Sequence, residues 1–289
     1  MSKKKDDLII KPASDLFIAS LYSAPKNESI LRSVLSGVMT DCGEPPVAKA
    51  TVLNPFSIRD HALDKQIVLD VRVEDEVGTY YNVEVQRASD AEFLERMLFG
   101  WAETYGSQLQ RGDGYDKLFP VRSIIIVEFP IFAILKRLHA IFELRSRENA
   151  DVLFSNHCQI HVLRLGDLIR NNLAGLDQFG LVMQRWMQFW ALGEKLEGSK
   201  MSTMLQDCPP VQMAYEEFNR FRTDPEIREI VRARERFLTD QRLKLAGAKR
   251  EGRDEKARET ALNLLRLGVP VATIAEGTGL SPAEVERLR

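Results

Sequence analysis

The sequence predicts an α/β fold with a mixed sheet, followed by a helical extension. Three observations carry this. An alternating pair of runs flanks a glycine in "LDVRVEDEVGTYYNVEVQ" (69–86). A long amphipathic segment follows, and then the nearly all-apolar run "VRSIIIVEF" (121–129). A helix between two strands of one sheet needs a crossover, and hence some parallel pairing.

In order, "NESILRSVLSGVMTD" (27–41) puts Ile30, Leu31, Val34, Leu35 and Val38 on one helical stripe. A Pro-rich turn leads into a strand near Val47–Leu53, and the 67–86 hairpin follows. "DAEFLERMLFGWAETYGSQLQ" (90–110) reads as a helix burying Leu94, Met97, Leu98, Trp101 and Tyr105. The β-branched 121–129 run fits a strand buried on both faces. "QIHVLRLGDL" (159–168) reads as a further strand and "LVMQRWMQFWAL" (181–192) as a buried helix. From about residue 211 the pattern is almost wholly helical.

The chain has 289 residues, 44% hydrophobic and 28% charged, with a formal net charge of −2. This fits a globular protein of one or two domains and shows no global basic signature. Residues 228–258 nevertheless hold eleven Lys/Arg against six Asp/Glu, which suits either a solvated helix face or an anionic partner. Cys42, Cys158 and Cys208 form no CxxC pair, as expected of a reducing compartment. "MSKKKDDLII" has no apolar signal region, and "SIIIVEFPIFAIL" is too short to span a membrane. A cytoplasmic protein without membrane partners is expected.

The hairpin carries the candidate chemistry. A three-residue loop Glu76-Val77-Gly78 sets Asp75 opposite Thr79, Arg72 opposite Asn82 and Asp70 opposite Glu84. Such a loop wants its last residue left-handed, and that residue is Gly78. Opposed carboxylates repel unless a cation joins them. Mg²⁺ is held by one or two carboxylates with waters and phosphate. The pair therefore fits either a solvated polar face or a Mg²⁺ site.

The D-x13-E-x-Q spacing of Asp70, Glu84 and Gln86 resembles the PD-(D/E)XK nucleases. More narrowly, it resembles the recombination-promoting nuclease (Rpn) family, with its "LD(V/I)…G…(I/V)N(I/V)E(M/V)Q" motif. The likeness runs over roughly residues 12–215 and includes Tyr105 and Gln108 as a Tyr-x-x-Gln pattern. It implies a restriction-endonuclease-like αβββαβ core and metal-dependent hydrolysis of DNA phosphodiesters. Asp70 and Glu84 would hold Mg²⁺. Gln86 would stand where much of the superfamily has Lys. Glu28, from the first helix, and Gln108 are further candidates. The implied organisation is a nuclease domain over 1–215, a basic helical linker over 216–260 and a helix-turn-helix-like tail over 261–289. DNA is the implied partner, and a homo-oligomer is compatible. The rival is a catalytically inactive DNA-binding or interaction protein that keeps the fold.

Elsewhere, His157, Cys158 and His161 lie too close together on a strand to point one way, which favours structural roles. "QRGDGYD" lacks GxxxxGK[ST], so no nucleotide loop is expected. In the tail, Ser281 and Glu284 form a capping box with Pro282 at the first helical position. Ala275, Gly279 and Val285 fit helix-turn-helix spacing, for DNA contact or for packing.

Overall fold

The computed structural model describes residues 8–56, 71–89, 91–195 and 207–288. The chain divides into two compact units, Met1–Glu229 and Ile230–Arg289. The first is built on a six-stranded sheet of order β1-β2-β3-β4-β6-β5. Its strands are β1 (Ala50–Val52), β2 (Val71–Asp75), β3 (Tyr80–Gln86), β4 (Val121–Val127), β5 (His139–Glu143) and β6 (Cys158–Leu163). The pairs β1–β2, β2–β3 and β5–β6 are antiparallel; β3–β4 and β4–β6 are parallel. The expected hairpin, crossover helix and parallel partner are all present. Edge strand β5 has no strong period-two pattern and was not foreseen in the sequence.

The turn chemistry sets the register. Gly78 has φ +86°, a conformation that costs glycine little. A Cβ there would also lie 2.6 Å from the Phe119 ring. Asp75 N donates to Thr79 O at 3.0 Å, and the Asp75 carboxylate accepts from Val77 N and Thr79 N. Arg72 then pairs with Asn82, and Val71 with Val83, as the loop length requires.

The helices of this unit are α1 (Asp15–Ser23), α2 (Glu28–Asp41), α3 (Phe93–Gly106), α4 (Leu165–Arg170), α5 (Leu181–Leu192) and α6 (Pro209–Thr223). On one face of the sheet, Phe93 and Met97 of α3 bury Ile125, Val127 and Val162. On the other, Val71, Val73, Val83, Ile124, Ile126 and Leu163 are fully buried. Around α1, α2, α5 and α6, Phe17 meets Phe218 and Phe221 edge-on, and Trp186 donates to Ser33 Oγ. A Cβ on Gly37 would lie 2.9 Å from Met183 Sδ, so glycine lets α2 and α5 approach closely.

The expected buried face of α3 needs correction. Leu94, Leu98 and Phe99 are exposed, whereas Phe93, Met97 and Thr104 are buried. The cause is the strip beneath the helix, which is partly polar. Asn82 and Thr104 exchange hydrogen bonds of 2.8 and 3.2 Å, turning α3 by its polar residue rather than by its leucines.

The long helix α7 (Pro225–Arg266) includes the 229/230 division. In the second unit, its C-terminal end joins α8 (Val271–Thr278) and α9 (Pro282–Glu286) around buried Ala261, Ile274 and Val285. The Ser281–Glu284 capping box forms at the start of α9, and Gly279 lies in the turn before it. Among the described residues, no helix is long and apolar enough to cross a membrane.

Candidate active site

Strand β3 lies inside the sheet, antiparallel to β2 and parallel to β4. Alternation sends Asn82, Glu84 and Gln86 to the α3 face, level with Ser123, Ile125 and Val127 of β4. Asn82 is buried and spent on Thr104. Glu84 and Gln86 are only half-buried. Gln86 Nε2 donates to Glu84 Oε2 at 3.1 Å. Gln86 Oε1 accepts from Arg96 Nη2 of α3, also at 3.1 Å. Helix α3 passes close at Gly100, where a Cβ would lie 3.9 Å from Glu84 Oε1. Arg72, opposite Asn82, is joined to Glu103 at 3.0 Å.

Asp70 lies outside the described residues; the described ladder starts at Val71–Val83. Glu28 is not brought to Glu84. Its carboxylate accepts from Ala50 N at 3.1 Å and lies 3.6 Å from Arg32. Ala50 is level with Asp75 at the turn end of the hairpin, next to Thr79. Glu84 lies five residues further along β3, about 16 Å at strand rise. Gln108 is not at the site either. Both ends of its amide bind the Phe119 backbone, at 3.1 and 2.7 Å. Tyr105 stacks on Trp101 and bonds His157 Nδ1 at 3.0 Å. The Tyr-x-x-Gln pattern thus fixes the C-terminal end of α3.

The carboxylate of Glu84 suits a hard cation such as Mg²⁺, which needs few protein ligands, while Gln86 turns its Nε2 toward Glu84 and its Oε1 toward Arg96. Among the described residues, no group of three or more His, Cys, Asp and Glu could form a denser cage. Arg96 went unnoticed in the sequence. Its signal was a cation in the first turn of a helix, where the helix dipole disfavours one.

The opposite face holds a second polar cluster. His139 Nδ1 lies 2.7 Å from Asp41 Oδ2, and His139 Nε2 lies 3.0 Å from His161 Nδ1. Asp41 Oδ1 also accepts from Gly180 N at 2.6 Å. Asp41, Cys42, Arg137, His139, Ile141 and Gln178 line a cleft of about 190 Å³. His161 is fully buried and its pKa is pushed down to about 3, by burial first and then by His139 and Arg122. His161 Nε2, Gln159 Oε1 and Arg122 Nη1 are buried without a hydrogen-bond partner among the described residues. His157, which precedes β6, and His161, within it, thus serve different contacts.

No curated protein and no solved structure matches this chain. A family model described as "PD-(D/E)XK nuclease family transposase" matches residues 12–248. That span includes the whole sheet, the Glu84–Gln86–Arg96 group and the α3 crossover, and the chain belongs to this family of nuclease-related transposases.

Proposed function

We propose that the protein is a Mg²⁺-dependent DNA endonuclease that hydrolyses phosphodiester bonds and promotes recombination in the cytoplasm. The observation that carries this is the half-buried Glu84–Gln86 pair on β3, in the hairpin register that the sequence predicts opposite Asp70. Family membership supports the same chemistry. Asp70 and Glu84 would hold the metal. When bound, a divalent cation polarises the scissile phosphate and lowers the pKa of the attacking water. Gln86 orients that water through its amide. The Asn82–Thr104 and Trp101–Val121 hydrogen bonds hold α3 over the strand, so that the polar groups keep their places.

Supercoiled plasmid, incubated with pure protein in Mg²⁺ or in EDTA, tests the reading. Nicking in Mg²⁺ alone is expected. A rival reading, DNA binding without catalysis, draws on Gln86, an amide with no positive charge; it predicts a bound but intact plasmid.

The second unit would add DNA affinity through its basic residues. Deletion of 261–289 is expected to leave cleavage intact while weakening binding and flattening its dependence on salt. Equal affinities and salt slopes for both forms would assign the tail to packing.

A further inference from the structure

We propose that Arg96 is a positioning residue that brings the missing positive charge to the Glu84–Gln86 site. This deepens the nuclease reading and rests on it. Phosphodiester hydrolysis builds negative charge on the phosphoryl oxygens, beside carboxylates that are already negative. Gln86 cannot answer that charge, because an amide carries none. The Arg96 guanidinium is hydrogen-bonded to Gln86 Oε1 at 3.1 Å, so a full cation stands one amide away from Glu84.

Two further observations fit. The first concerns orientation. An arginine has only donors, so the Gln86 atom facing Arg96 must be the carbonyl oxygen. Its Nε2 is thereby turned to Glu84 and to any water held there. Arg96 thus decides which end of the amide meets the reaction. The second concerns placement. Arg96 lies in the first turn of α3, whose first intrahelical bond is its own N–H to Glu92 O. A cation there opposes the helix dipole. Its side chain is exposed, so packing does not demand it. The hydrogen bond to Gln86 is a contact that this placement makes possible.

The device differs from a lysine on the strand. The donor to the water is neutral and comes from β3, while the charge comes from α3. Moving the charge back to β3 tests the division of labour. Arg96→Ala and Arg96→Gln are each expected to lower kcat by ~10–100-fold, with KM within about threefold of the wild type. Gln86→Lys placed in the Arg96→Ala protein is expected to restore kcat to within about threefold. A structural arginine would show no such rescue. Melting temperatures of all variants should match the wild type.

Wild-type kcat in Arg96→Ala overturns the inference, as does an equal loss with and without Gln86→Lys. Wild-type cleavage in Mg²⁺ that disappears in Glu84→Ala preserves the nuclease reading whatever Arg96 does. A wild-type protein inert with every divalent cation overturns reading and inference together.

Discussion

The two faces of the central sheet both carry polar side chains, and they treat them in opposite ways. Under α3, Glu84, Gln86 and Arg96 form a half-exposed chain that can exchange partners for substrate and water. On the reverse face, Asp41, His139 and His161 form a chain largely withdrawn from solvent at the wall of the cleft; the His139 and Asp41 side chains are 6% and 5% exposed. Hydrogen bonds of similar length serve both. What separates them is access. A withdrawn network gains from low dielectric and specifies packing, whereas an open one is weaker and free for chemistry.

The largest expected effect breaks the open face. Glu84→Ala is expected to cut the cleavage rate by at least ~10³-fold, the scale of losing metal-based charge stabilisation. Its melting temperature should stay near wild type. Asp70→Ala should behave alike. Near wild-type nicking by either variant would remove this site from consideration.

Acid should single out the withdrawn face. His161 has its pKa lowered from 6.5 to about 3, so the unfolded chain binds a proton that the folded one refuses. Its contribution is complete above pH 6.5 and declines as pH falls toward 3, by on the order of 5 kcal/mol in all. Urea unfolding across this window is the measurement. His161→Asn should flatten the pH slope; an unchanged slope would deny His161 this role.

His139→Ala should follow, at a cost of about 3 kcal/mol, because it leaves Asp41 Oδ2 and His161 Nδ1 without their partner. Cleavage per folded molecule should be unaltered. If that rate collapses with the stability, the two faces are not separable as described. The mildest change is Gln86→Lys in the otherwise wild-type protein. With Arg96 already supplying charge, kcat is expected to rise by less than ~10-fold. Unfolding of this variant would make Gln86 a packing residue.

The same contrast explains what was legible in the sequence. The hairpin register could be derived because one loop length and Gly78 fix it, and strand alternation then places every side chain. Strand β4 could be read from its β-branched run. The partners of Glu84 and Gln86 could not. Arg96 reaches Gln86 across ten positions from a separate helix, and only α3's rotation about Thr104 aims it there. Asp41 and His139 are 98 positions apart, so no local pattern joins them. The α3 leucines misled because helical periodicity counts apolar residues and cannot see a polar strip on the facing strand.

Asp41 has one more consequence, for motion. Its single carboxylate ends α2, holds β5 through His139 and binds Gly180 N at the start of α5. His139 extends the link to β6. Segments far apart in the chain therefore cannot loosen one at a time around it. Breathing of the protein in this region is expected to be a joint event: the end of α2, the start of α5 and the β5–β6 edge should open as one cooperative block, and their amide protons should report a common opening free energy in hydrogen exchange.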